Sequence, residues 1–160
     1  MRDHKKLRAF ELADALVLSI YRLTAIFPVQ EQYGLTSQLR RAAVSIASNI
    51  VEGSARNGLA DYIRFLDMSY GSCREVEYQL SLVDRLGFAN IAVVEPVVAQ
   101  AEETAKVLNG LIRSLRNRPE AYAFHRRLFF LPPASGLPPP VSRLRPKFEI
   151  TNRGPKIFRC

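Results

Sequence analysis

Tryptophan is absent from this 160-residue chain, and histidine and cysteine occur only twice each. General acid–base catalysis draws most often on histidine, yet His4 and His125 both lie outside the stretches that read as helix. No Ser-His or Cys-His arrangement can be assembled within the helical part. A carboxylate-bridged metal site in a helix bundle needs Glu-x-x-His pairs on facing helices; no helical stretch contains histidine, which excludes a di-iron centre. Cys73 sits inside a helical pattern and Cys160 is the last residue, so neither a disulfide framework nor metal-ligand spacing exists. No Gly-x-Gly-x-x-Gly and no Walker-type loop is present to cradle a nucleotide. No enzyme, no cofactor and no metal is therefore expected. Apolar runs fall short of the roughly 20 residues that span a bilayer. The charged stretch Met1 to Phe10 lacks the apolar core of a secretory signal, which predicts a cytoplasmic protein with no membrane partner. Runs of alternating β-branched residues are missing as well, leaving an all-α chain.

What is present is positive charge, unevenly placed. The formal net charge is +8. Residues 1–118 carry 15 Lys/Arg against 13 Asp/Glu, whereas residues 119–160 carry 8 against 2. Eight of the ten prolines also fall in that second segment, from Pro119 to Pro155, so composition shifts twice at one boundary. Residues 1–118 read as one domain and residues 119–160 as an irregular, basic, Pro-rich tail. Phe124, Phe129, Phe130, Phe148 and Phe158 make the tail less polar than a linker, but its prolines bar long helices and central strands. It reads as disordered or loosely docked. Its aromatics and arginines suit stacking on single-stranded nucleic acid, and a functionless extension fits equally.

Apolar residues alternating at three and four mark the seam of a packed helix, and four segments show it, at about 8–27, 35–56, 58–86 and 92–117. In the first, Phe10, Ala13, Val17, Ile20, Thr24 and Phe27 lead to Pro28, which disfavours helix in the residue before it. In the second, Leu35, Leu39, Ala43, Ile46 and Ile50 line one face, with Thr36 or Ser37 available as cap and Gly53 and Asn57-Gly58 as breakers. The third, Tyr62, Leu66, Ser69, Cys73, Val76, Leu80 and Val83, ends at Gly87, a left-handed cap. The fourth, Val94, Val98, Ala101, Ala105, Leu108, Ile112 and Leu115, tolerates Pro96 if that residue lies in about the first turn. Short connections force successive helices antiparallel, so the expected architecture is an up-down-up-down four-helix bundle. Small seam residues, among them Ala43, Ser69, Cys73, Ala101 and Ala105, predict close approach at mid-bundle. The first two helices also carry Leu12, Leu16, Leu18, Leu23, Ala42 and Ala47 off the seam. Two readings stand: burial against another subunit, or a wider core-facing stripe.

The run from Tyr33 to Gly53, YGLTSQLRRAAVSIASNIVEG, is distinctive as text and resembles the family of bacterial four-helix bundle proteins encoded by intervening sequences of 23S rRNA genes. Arg64-Phe65-Leu66 and Gly71-Ser72-Cys73-Arg74-Glu75-Val76-Glu77 resemble that family's third helix, and Leu108 to Leu115 its fourth. The similarity covers about residues 5 to 117. It implies a homo-oligomer, a pentameric ring of bundles. It also implies a relation to the accessory variability protein of diversity-generating retroelements, whose partners are nucleic acid and a reverse transcriptase. At Ala47 the family often has proline, so a kink in the second helix does not carry over, and the tail has no counterpart.

Arg40 and Arg41 lie in the first turns of the second helix, where positive charge opposes the dipole. A pair placed against local preference points to phosphate. Residues 35–57 carry Arg40, Arg41 and Arg56 against Glu52 alone, whereas the third helix carries five carboxylates against three arginines. The candidates for contact with an RNA or DNA backbone are therefore Arg40, Arg41 and Arg56, with Lys5, Lys6 and Arg8 before the first helix. Repetition in a ring would turn this excess into a field that attracts phosphates. Arg64 has Asp61 and Asp67, and Arg74 has Glu77, at helical spacing, which reads as a solvated, paired face. Asn49 and Glu52 read as structural hydrogen-bonding groups. The alternative function is a scaffold that binds another polypeptide, such as a reverse transcriptase, through the surplus apolar positions.

Overall fold

The computed structural model describes residues 2–117, and all its long elements are helices. They are α1 (Arg8–Thr24), α2 (Leu35–Ser54), α3 (Leu59–Leu86) and α4 (Ile91–Arg116). Short 3-10 turns at His4–Lys6 and Val29–Gln32 precede α1 and α2. The boundary expected near Arg118 and the irregular tail at 119–160 lie outside the described residues.

Helix α1 packs on α2 and α4, and α3 packs on α2 and α4, so the four close a ring. Individual contacts fix their directions. The start of α2 meets the end of α1 where Arg40 Nε donates to Thr24 Oγ1 at 2.8 Å. Between α2 and α3, Gly53 abuts Phe65 while Ser69 Oγ donates to the Ile46 carbonyl at 2.8 Å. The end of α4 meets the start of α3 where Arg116 Nη2 reaches both Asp67 carboxylate oxygens at 2.8 Å. Successive helices are therefore antiparallel. One end of the bundle, the two-loop end, carries the α1–α2 and α3–α4 connections. The opposite, terminal end carries the start of α1, the α2–α3 turn and the end of α4.

The capping chemistry explains most boundaries. Gly87 adopts φ 67° and closes α3, with its N–H bonded to Asp84 O and the Phe88 N–H to Val83 O; this is the left-handed stop its sequence position predicts. Asn90 Oδ1 accepts from Ala92 N at 2.9 Å and starts α4. Helix α2 is capped otherwise than expected. Thr36 is buried and caps nothing; Glu31 reaches from the preceding turn so that its Oε2 accepts from Leu35 N at 2.9 Å. Helix α1 stops at Thr24 rather than near Phe27, because Ala25 and Ile26 turn back onto Arg22 O and Leu23 O and deliver Phe27 into the core. Pro96 falls in the second turn of α4, not the first; it lies on the exposed side of the helix, where the Ala92 carbonyl that its ring leaves without a helical donor costs least.

The core runs the length of the ring, with Leu16, Ile20, Leu39, Ile46, Ile50, Leu66, Leu80, Leu108 and Ile112 all but fully buried. The off-seam residues divide. Leu16, Leu23 and Ala42 face this core, so the stripe on α1 is centred between Ala13 and Leu16 rather than on Val17. Leu18 is exposed. At roughly 2 kcal/mol for each fully buried leucine, Leu16 and Leu23 are principal contributors to folding. Among the described residues no helix is long and apolar enough to cross a membrane.

Candidate nucleic-acid interface

The fold separates the six candidate cations. Arg40 and Arg41 lie at the two-loop end; Lys5, Lys6, Arg8 and Arg56 lie at the terminal end. Arg40 and Arg56 are about 24 Å apart along the helix axis, at 1.5 Å per residue. They do not form one site.

At the two-loop end Arg40 is committed internally. Besides its bond to Thr24, its guanidinium carbon lies 4.8 Å from the Tyr21 ring centroid. Thr24 Oγ1 in turn donates to Ile20 O at 2.8 Å, which makes a satisfied polar staple between α1 and α2. The unfavourable placement of Arg40 near the start of α2 is therefore offset by structure. Arg41 is exposed.

At the terminal end Lys6 faces Asp3 at 3.8 Å and Arg8 faces Glu11 at 2.8 Å, both pairs being solvent-exposed. Such pairs contribute little to stability and leave the cations available to another anion. Lys5 is exposed, and its backbone N–H bonds to Asp3 Oδ1. Arg56 pairs with Glu52 and lies 4.8 Å from the Phe65 ring centroid.

Two further arginines belong with Arg56. Arg2 donates through its backbone N–H to Ser54 O at 3.2 Å and through Nη1 to Arg56 O at 2.8 Å, and its guanidinium lies 4.5 Å from the Tyr62 centroid. Arg64 is not held by Asp61 or Asp67; its guanidinium lies 5.3 Å from the Phe65 centroid, and Asp67 is taken by Arg116. Arg74 does pair with Glu77, as its spacing predicts, and Asn49 Nδ2 donates to Ser45 O at 2.8 Å. Within about two turns of the terminal end lie eight Lys/Arg and six Asp/Glu. The rest of the described bundle carries six against seven.

Two buried side chains among the described residues have raised proton affinity. Burial, reinforced by the Glu77 carboxylate and opposed by Arg74, pushes the Cys73 thiol up to about 12, so it is a poor nucleophile. Burial also raises the Tyr62 phenol, against the pull of Arg2 and the Ser54 hydroxyl. Among the described residues no group of three or more His, Cys, Asp and Glu is placed to hold a metal ion.

The family model described as 23S rRNA-intervening sequence protein matches residues 5–110. Among solved structures, the chain is similar to a crystal structure from Bacteroides thetaiotaomicron, described as a protein with unknown function from the S23 ribosomal protein family. Sequence identity is 25%, the TM-score is 0.60, and the match covers 65% of this chain and 97% of the other. No curated protein matches.

Proposed function

The chain belongs to the 23S rRNA-intervening sequence protein family, and on that footing we propose that it is a non-catalytic bundle that associates with RNA or DNA through phosphate contacts at its terminal end. One observation supports this above the others: the cations Arg2, Lys5, Lys6, Arg8, Arg56 and Arg64 gather at the end from which the chain continues into its most basic segment. Residues 118–160 carry nine Lys/Arg against two Asp/Glu. Sequence-tolerant binding of this type draws its free energy from neutralised phosphates and released counterions. Self-association, the pentameric ring implied by the resemblance, would repeat the basic end and multiply its field. The S23 ribosomal description of the similar solved protein is in keeping with an RNA partner.

Fluorescence anisotropy of the full chain with labelled RNA and DNA tests the reading. Affinity should fall steeply as salt rises, with a log–log slope near −0.7 to −0.9 for each phosphate engaged. Absent or salt-insensitive binding would sink it.

A second reading, a scaffold for another polypeptide, is favoured by a different face. Leu18 and Tyr21 on α1 and Val44 and Val51 on α2 are exposed apolar side chains, and Arg40 over Tyr21 places the two helices' stripes side by side. Such a face suits a protein partner or a second copy. Mass measurement in solution separates the cases: a strict 18.1 kDa monomer removes the ring, and a partner retained after nuclease treatment favours the scaffold.

A further inference from the structure

Three arginines meet at one corner of the terminal end, on a seat made of two aromatic rings. Tyr62 and Phe65 are three residues apart on α3 and so neighbour each other on one helix face. Arg2 lies over Tyr62, while Arg56 and Arg64 both lie over Phe65. The seat is rigid. Both rings are buried, and a methyl placed on Gly53 would come within 2.7 Å of Phe65 Cβ and 3.3 Å of Tyr62 Cδ2, so α2 and α3 touch there without slack. Arg2 is fastened besides, through its two bonds to the carbonyls of Ser54 and Arg56.

A guanidinium lying over a ring spends its flat face on the ring and keeps its N–H donors in the plane, at the edge. Side chains held in this way lose little freedom when an anion arrives, unlike the exposed chains of Lys5 and Lys6. Countercharge at the corner is scarce. Glu52 pairs with Arg56, and Asp61 lies towards Gly58 at the start of its own helix, with Oδ2 3.5 Å from where a Gly58 Cβ would stand. Among the described residues, neither Arg2 nor Arg64 has a carboxylate within ion-pair distance. Three guanidiniums against Glu52 and Asp61 leave a surplus of one positive charge, and two of the three, Arg2 and Arg64, stand without an ion-pair partner among the described residues.

We propose that this corner receives the terminal phosphate of a nucleic-acid strand. An internal phosphodiester carries one negative charge and is followed at once by another, which calls for an extended row of cations. A phosphomonoester carries about −1.5 to −2 at pH 7 in a single tetrahedral group with three acceptor oxygens, which fits a compact cluster of planar donor forks. Lys5, Lys6 and Arg8, on the solvated flank of the same end, then serve the strand that leads away. The inference rests on the nucleic-acid reading and adds to it a chemical end and three named residues.

The test uses the full chain and one short, 3′-labelled strand, as RNA and as DNA, made with either a 5′-phosphate or a 5′-hydroxyl; a 5′-labelled pair examines the 3′-phosphate. Native protein should prefer one phosphorylated terminus by about tenfold, the scale of one lost charge-assisted contact set. Arg64→Gln and Arg2→Gln should each erase most of that preference while leaving the weaker, salt-dependent binding of the hydroxyl strand. Circular dichroism verifies folding; Arg64 is exposed, so its variant should keep the native spectrum. Equal affinity for phosphate and hydroxyl strands overturns the inference and leaves the nucleic-acid reading standing. Binding of neither strand overturns both, and a preference that survives in both variants overturns the assigned residues.

Discussion

Where α1 passes to α2 and α3 to α4, closure is chiefly apolar, with the Arg40–Thr24 bond as its polar staple. Phe27 and Phe88, one from each connection, bring their rings to 6.1 Å at a tilt of 56°, and Ile26, Val29, Tyr33, Leu86 and Ile91 around them remain exposed. At the opposite end closure is cationic. The N-terminal segment folds back to α2, and Arg2, Arg56 and Arg64 lie over Tyr62 and Phe65. One sequence thus finishes the same four-helix ring in two ways, and the difference teaches which end can give up side-chain contacts without giving up core burial. An apolar closure can be lost only with its burial energy. A cationic closure over aromatics keeps hydrogen-bond donors facing water, available to a ligand, at little cost to the core.

The largest effect should come from breaking the apolar end. Phe27→Ala removes a nearly buried ring and its partner contact with Phe88, which should cost about 3 kcal/mol in urea unfolding. Strand affinity, measured where the variant remains folded, should not change. If Phe27→Ala weakens nucleic-acid binding as much as terminal-end variants do, the division between the two ends fails.

Next is the seat at the basic end. Gly53→Val places branched carbon where Phe65 already lies and should cost about 2 kcal/mol by overpacking. Here stability and ligand binding should fall together, because Phe65 carries both Arg56 and Arg64. Calorimetry paired with anisotropy checks the coupling. A destabilised variant that still distinguished phosphate from hydroxyl termini would detach the ring from the recognition.

Between the ends lies Cys73, whose thiol is pushed up to about 12 chiefly by burial. Its folded pKa lies above the unfolded value, so the stability it contributes is fully present below about pH 9 and is lost as pH rises towards 12. The loss should approach about 1.4 kcal/mol per pH unit above 9, with the raised Tyr62 phenol adding to it in the same direction. Cys73→Ala should flatten the dependence of urea midpoints between pH 9 and 10.5. An unchanged slope would mean that the alkaline loss comes from Tyr62, and so from the terminal end.

Much of the bundle was legible because its signals are local. The four-three apolar rhythm, Gly87 as a left-handed stop, and the Arg74–Glu77 contact all arise within a few residues. What escaped depends on other helices or on turns. Leu16 and Leu23 read as surplus in a seam through Val17, whereas the buried stripe of α1 runs one residue away from it. The cap of α2 comes from Glu31 rather than Thr36, since the preceding 3-10 turn brings that carboxylate back to Leu35 N. Arg64 looked paired because Asp61 and Asp67 stand at the right spacing, yet Asp67 is claimed by Arg116 from 49 residues away. Arg2 carried no pattern at all; its place follows from Ser54 and Arg56 offering carbonyls at the end of α2. The family resemblance in residues 33–53 directed attention to α2 but could not say which of its arginines faces solvent.

That last ambiguity supplies the smallest prediction, and it bears most directly on the comparison of ends. Arg40 and Arg41 are adjacent in sequence and equal in charge, so charge counting assigns them one role. Their environments differ: Arg40 Nε donates to Thr24 Oγ1 and its guanidinium lies over Tyr21, whereas Arg41 is exposed. Arg40→Ala should therefore cost about 1 kcal/mol of stability, the usual worth of one hydrogen bond with a modest cation–π contribution, and change strand affinity by less than about twofold. Arg41→Ala should leave stability within about 0.5 kcal/mol of the native protein, as an exposed surface change does, and reduce the salt slope of binding by less than one phosphate equivalent. If Arg41→Ala instead lowers the slope as far as Lys5→Ala or Lys6→Ala, phosphate is bound at both ends. The apolar closure would then mark only the place where the chain turns.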